Sequence, residues 1–216
     1  MSSLRKKNMP AKINFEGDKA QYIAPSWDEL DKTTFQVAKK ILESGEDFDL
    51  IVALAKGSWP MSRSFIDFLG KNDLASLGVR FYSGINETFD EPIVYQDLPF
   101  EVKKDLKGKK VLVFDDVADS GKSLSFAIDY LTESGASIVK TATIYSKPRT
   151  SLVPDFYGEE TDAWIIFPFE VREMTALLSQ TWLEQGISRE EIKQRFLKFG
   201  FDEEIISYSL EGLANV

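Results

Sequence analysis

The chain has 216 residues, 43% of them hydrophobic, enough apolar material for one sizeable core and too much for wholesale disorder. Its 26 Lys and Arg against 35 Asp and Glu leave a formal net charge of −9, the wrong sign for a general nucleic-acid coat or an anionic membrane surface. Cysteine and histidine are both missing, which removes disulfides, thiol catalysis, histidine triads and most zinc sites, and leaves carboxylates, lysines, hydroxyls and a hard cation such as Mg²⁺.

A phosphate site in such a chain has to be built locally, from backbone N–H groups, a few lysines or arginines, or a metal. No apolar run approaches the ~18 residues of a membrane span. The basic opening MSSLRKKNMPAK has no apolar segment behind it, unlike a secretory signal. These features predict a soluble cytoplasmic protein in which MSSLRKKNMPAK is a frayed, solvated arm.

Ser26-Trp27-Asp28-Glu29 has the spacing of a capping box, and Leu30, Phe35, Ala38, Ile41 and Leu42 follow at helical intervals until Gly45 stops the helix. Leu50 to Leu54 is a continuous apolar run, as in a strand buried on both faces. After the turn Lys56-Gly57-Ser58, Pro60 opens a helix with Met61, Phe65, Phe68 and Leu69 on one side. Val79 to Tyr82 predicts a strand, the polar residues 83–92 a mobile surface loop, and Ile93 to Tyr95 a further strand.

Val111 to Phe114 is the clearest strand, followed by a helix over 123–134 that ends at Gly135. Ile138 to Tyr145 and Asp162 to Phe167 also read as strands. Strands separated by single helices imply βαβ units and a parallel, doubly wound α/β fold. From about Val171 the pattern is helical, with a second capping box at Ser188-Arg189-Glu190-Glu191, a stop at Gly200 and a cap at Asp202. These helices are too short to stand alone and must pack on something.

The chemistry concentrates in Val111-Leu112-Val113-Phe114-Asp115-Asp116-Val117-Ala118-Asp119-Ser120-Gly121-Lys122-Ser123-Leu124. An apolar strand runs into two acids, a polar turn and a helix start. Ligands of open α/β sheets bind at such carboxyl ends, and the helix start offers N–H groups suited to a phosphate. Ser120 and Ser123 add hydroxyl donors, while Asp115 and Asp116 can hold sugar hydroxyls or a Mg²⁺. Gly121-Lys122-Ser123 matches the end of a P-loop, but that motif requires glycine where this chain has Asp116, so the P-loop reading fails.

Val113 to Leu124 closely resembles the phosphoribosyl-pyrophosphate (PRPP) motif of type I phosphoribosyltransferases, and the resemblance extends over roughly 25–170. Ile51 to Pro60 resembles the family's pyrophosphate loop, Thr143 to Pro148 its purine-contacting strand, and Pro154 to Tyr157 with Ala163 to Glu170 its base-stacking and metal segment. These matches favour the purine branch, the xanthine-guanine and hypoxanthine enzymes and their archaeal relatives. There are departures: Ser58 stands where the family often has a second glycine, and 83–92 lacks an alignable Ser-Tyr pair. The residues after 170 lie outside the resemblance, although some archaeal adenine enzymes on this plan carry C-terminal extensions.

The resemblance implies a type I phosphoribosyltransferase fold: a central, mainly parallel sheet flanked by helices, a small hood and a helical extension. The expected segments are an arm over 1–24, a core with hood elements over 25–172 and an extension over 173–216. It implies transfer of the phosphoribosyl group of PRPP to a 6-oxopurine, giving a nucleoside monophosphate and pyrophosphate, in a homodimer that binds neither nucleic acid nor membrane.

The roles it implies are specific. Asp119 is the general base; Asp115 and Asp116 bind ribose and, with Glu170, a Mg²⁺; Asp119, Ser120, Gly121, Lys122 and Ser123 hold the 5′-phosphate. Lys56 and Gly57 hold pyrophosphate, through a strained or cis peptide as in relatives, and Lys147, Trp164 and Ile165 bind the purine. A lysine ammonium only donates, so it matches the 6-oxo acceptor of guanine, hypoxanthine or xanthine better than the 6-amino donor of adenine. An adenine-specific transferase and a non-catalytic PRPP- or nucleotide-sensing regulator are the alternatives.

Overall fold

The computed structural model describes residues 9–81 and 92–211. Residues 1–8, and the expected loop at 83–92 apart from Pro92, lie outside the described residues. The elements in chain order are β1 (Tyr22–Ile23), α1 (Trp27–Ser44), β2 (Leu50–Ala55), α2 (Trp59–Leu69), β3 (Leu74–Phe81), β4 (Pro92–Gln96), α3 (Phe100–Lys104), β5 (Lys110–Ala118), α4 (Lys122–Glu133), β6 (Ile138–Ser146), β7 (Phe156–Glu160), β8 (Trp164–Ile165), α5 (Val171–Glu184), α6 (Arg189–Lys198) and α7 (Glu203–Glu211).

The chain divides into two compact units, one of residues 31–161 and one of residues 1–30 with 162–216. The first holds a six-stranded sheet in the order β4-β3-β2-β5-β6-β7. All its pairings are parallel except β3 with β4. From β2 the chain winds outward through β3 to β4, then returns to β5 on the other side of β2. The order therefore reverses between β2 and β5, and the crevice at their carboxyl ends is where an open α/β sheet takes its ligand.

Strand character in β2 and β5 comes from their apolar runs. Val52, Leu54, Val111 and Val113 are buried on one face with Leu77 of β3 and with Leu124, Ala127 and Leu131 of α4. On the opposite face Phe114 stacks on Phe65 of α2, with ring centroids 3.9 Å apart.

The second unit pairs β1 with β8 in parallel. Its core gathers Phe15 and Tyr22 from the N-terminal segment with Trp182, Phe196, Phe199 and Ile206 from the C-terminal helices. Tyr22 Oη and Trp182 Nε1 both donate to Asp18 Oδ2 at 2.8 Å, so the polar tips of two buried aromatics share one acceptor. The cut after residue 24 expected from the sequence therefore does not mark a structural boundary: residues 13–24, expected to belong to the N-terminal arm, are a packing partner of the helices after Val171. Among the described residues no helix is long and apolar enough to cross a membrane.

Several local expectations hold. The first capping box forms with both bonds, Ser26 N to Glu29 Oε2 at 2.8 Å and Glu29 N to Ser26 Oγ at 3.3 Å. Asp202 caps α7 through the N–H groups of Glu204 and Ile205. At α6 the cap is one-sided: Glu191 N donates to Ser188 Oγ, while the Glu191 carboxylate accepts from Arg195.

Others need correction. Phe35 and Leu42 are exposed on α1, and Thr33, Thr34 and Val37 are buried instead. On α2 the buried set is Met61, Ser62, Phe65, Ile66 and Leu69, with Phe68 half-buried. The strand after β6 in the main sheet is β7; of Asp162 to Phe167 only Trp164 and Ile165 are strand, and they belong to the small sheet. α3 has no buried residue and shows no apolar periodicity to announce it.

The core of the second unit gives a direct stability test. Trp182 is fully buried, so Trp182→Ala is expected to cost about 3–5 kcal/mol in denaturant unfolding, whereas Trp182→Phe, which mainly loses the bond to Asp18, should cost about 1–3 kcal/mol.

Candidate functional site

The two strands that flank the switch point each carry a loop of the predicted chemistry. β5 continues through both acids to Ala118, so Asp115 and Asp116 lie within the strand rather than beyond its end. Strand alternation puts them on opposite faces: Asp116 on the side of Phe114, Asp115 on that of Val113. Asp115 is half-buried and Asp116 buried. Asp116 N donates to Asp115 Oδ1 at 3.0 Å, and Val117 N to Asp116 Oδ1 at 2.7 Å.

Burial pushes the Asp116 carboxyl up to about 6, opposed by the Val117 N–H. Burial, and secondarily the charge of Asp116, raise Asp115 well above the ordinary carboxylate range. One buried and one half-buried carboxylate that resist ionisation together are a donor set that a hard cation would satisfy. Among the described residues no three acidic groups are gathered into a metal cage.

From β2, residues 55–58 reach the same place. The Ala55–Lys56 peptide is cis. A Cβ on Gly57 would lie 2.4 Å from Asp116 Oδ2, so only glycine lets this backbone approach the carboxylate. Ser58, where the family often has a second glycine, is fully buried with its hydroxyl on Leu54 O, and its φ of −73° needs no glycine. Tyr95 of β4 braces the loop by donating to Ala55 O at 3.1 Å.

Residues 119–123 form the turn into α4. Gly121 has a φ of 82°, a left-handed conformation suited to glycine, and Ser125 N closes the first helical turn on Gly121 O. Lys122 and Ser123 therefore stand in the first turn, where backbone N–H groups point away from the helix. Asp119 is paired with Arg149, a residue the sequence reading passed over; its place two residues beyond Lys147 was the available signal.

Lys147 follows β6, donates its backbone N–H to Ala118 O at 2.9 Å and is buried. Asp115, Asp116, Lys56, Gly57, Lys147 and the turn 119–123 all belong to the unit 31–161. Trp164, Ile165 and Glu170 belong to the other unit: Trp164 is 45% exposed, Ile165 is buried in β8, and Glu170 stands at the N-cap position of α5 without a side-chain cap bond.

A phosphoribosyl transferase domain model matches residues 26–173. The hypoxanthine-guanine phosphoribosyltransferase of Bacillus subtilis (strain 168) is 24% identical over 147 residues, covering 65% of this chain and 79% of that protein. Of solved structures, a purine phosphoribosyltransferase from Pyrococcus horikoshii has a TM-score of 0.61 and 33% identity, covering 68% of this chain and 93% of that one. The xanthine-guanine-hypoxanthine phosphoribosyltransferase of Helicobacter pylori also has a TM-score of 0.61, at 17% identity, a likeness of fold, over 73% of this chain and 99% of that one.

The raised carboxyl at Asp116 predicts a stability cost. The folded protein holds this proton more tightly than the unfolded chain, so the contribution is lost as pH rises from the ordinary carboxylate value near 4 through about 6. Asp116→Asn should therefore stabilise the unliganded protein at pH 7.5 by about 1–3 kcal/mol and change little at pH 4. Thermal unfolding at the two pH values checks this; equal effects at both would contradict it.

Proposed function

We propose, from the premise that this chain belongs to the phosphoribosyl transferase domain family, that it joins a 6-oxopurine base to PRPP and releases pyrophosphate. The observation that carries this reading is the fit of Gly57 against Asp116, which brings a lysine-bearing loop and a carboxylate pair to one end of the sheet, beside a helix start. The named relatives support the base class, being hypoxanthine-guanine and purine phosphoribosyltransferases.

In this reaction positive charge develops at ribose C1′ while pyrophosphate departs with negative charge. Asp115 and Asp116 hold the ribose hydroxyls and are the residues that would hold a Mg²⁺. Such an ion would supply positive charge for the leaving pyrophosphate. The first turn of α4, with the hydroxyls of Ser120 and Ser123, cradles the 5′-phosphate through residues 119–123. The Gly57 backbone and the Lys56 ammonium receive pyrophosphate.

Asp119 accepts the proton leaving the purine ring nitrogen, a contribution of about 10²–10⁴ in rate. Lys147, buried and with donors only, reads the 6-oxo oxygen. For Trp164 and Ile165 as base contacts, and for Glu170 toward the metal, the proposal rests on their match to the family's motif. The assembly is proposed to be a homodimer on the same ground.

Pyrophosphate release with PRPP, Mg²⁺ and each of adenine, guanine, hypoxanthine and xanthine tests the reading. The 6-oxopurines should be preferred over adenine by roughly 10⁴ in kcat/KM, because the donor-only Lys147 meets an acceptor on a 6-oxopurine and a second donor on adenine. An adenine value above all three overturns the role of Lys147. No turnover with any base overturns the transferase and favours a nucleotide-binding regulator. The double variant Asp115→Asn, Asp116→Asn should lose turnover while remaining folded.

A further inference from the structure

Arg149 Nε, at 3.0 Å, and Nη2, at 2.6 Å, both donate to the same oxygen of Asp119, Oδ1. No described residue donates to Oδ2. An arginine that spanned both oxygens of a carboxylate in a fork would occupy the whole group; here both donors converge on one oxygen and leave the other available. The pair is exposed, with 72% of the Arg149 and 54% of the Asp119 side chain accessible, so it contributes little to stability and its main consequence is orientation.

The arginine is well anchored for that task. Thr150 N donates to Lys147 O at 3.1 Å, closing a turn that contains Arg149. Ser151 clasps this turn to the phosphate loop, its N–H and hydroxyl both donating to Ser120 O at 3.1 and 2.8 Å. Gly121 completes the contact: a Cβ there would lie 2.7 Å from Leu152 N and 2.8 Å from Thr150 Oγ1. The segment 147–152 and the loop 119–121 thus form one braced corner of the unit 31–161, with Lys147 entering it and Arg149 at its turn.

We propose that Arg149 is a positioning residue that fixes the Asp119 carboxylate by Oδ1 and presents Oδ2 to the ring N–H of the incoming base. This rests on the transferase reading above. As the bond from the ring nitrogen to ribose C1′ forms, the C1′–oxygen bond to pyrophosphate breaks and its electron pair leaves with pyrophosphate. The ring proton passes to Asp119 Oδ2, while Arg149 touches neither substrate nor reacting atoms. A carboxylate released from this anchor samples orientations in which neither oxygen faces the base.

Steady-state kinetics of the whole chain test the assignment, using Arg149→Ala, Arg149→Lys, Asp119→Asn and the double variant Arg149→Ala, Asp119→Asn. Arg149→Ala should lower kcat roughly 10–100-fold, with the KM for PRPP and the unfolding midpoint unchanged. Arg149→Lys, or free guanidinium added to Arg149→Ala, should restore part of the loss. In the Asp119→Asn background the arginine substitution should have no further effect on kcat, because it acts only through that carboxylate. A raised KM for PRPP with kcat intact, or additive losses in the double variant, would make Arg149 a phosphate ligand and overturn the inference. A wild-type chain without turnover would instead overturn the transferase reading, and this inference with it.

Discussion

The backbone at Gly57 has no room for a side chain because the carboxylate of Asp116 occupies the space where a Cβ would project, 2.4 Å away. This contact exists only because β2 and β5 run parallel as direct neighbours, with Val52 opposite Val113 and Ala53 opposite Phe114. The same register carries both strands to the sheet's switch point. One strand delivers Lys56, the other the acids and then the turn into α4. The apolar residues that bury β2 and β5, and Phe65 stacked on Phe114, are what hold these polar groups in place.

The electrostatics follow a division of labour. A chain of net charge −9 cannot attract polyanions by overall charge, so any cations that serve them are local, as Lys56 on one loop and Lys122 at the helix start would be. The buried acids work in the other direction. Burial raises both carboxyls, so ionising the pair costs the fold stability, a cost that a bound cation would relieve.

The sequence disclosed most about segments whose local pattern and chemistry coincide. The run from Val111 to Leu124 names its own strand, turn and helix, since apolar residues, acids, glycine and serines change in that order. The cap at Ser26 and the stop at Gly45 are equally local. What escaped depends on contacts distant in sequence. Nothing in the spacing around Phe15 and Tyr22 points to Trp182, more than 150 positions away, and periodicity alone could not tell that Phe35 and Leu42 face solvent. β7 was hidden because an edge strand with half-buried residues and a glycine lacks a continuous apolar run. Arg149 was hidden because a surface arginine acquires meaning only when the fold places it on Asp119.

The most direct test of this organisation is calorimetric binding of PRPP with Mg²⁺ to the wild-type chain and to Gly57→Ala, with circular dichroism confirming that the variant folds. An added methyl must displace the loop or the Asp116 carboxylate, so wild-type binding should be clear and the variant's weaker by about 10-fold or more, a loss of ~1.4 kcal/mol. Equal affinities for the two proteins, or no binding to the wild type, would contradict the assignment of this corner of the sheet to PRPP.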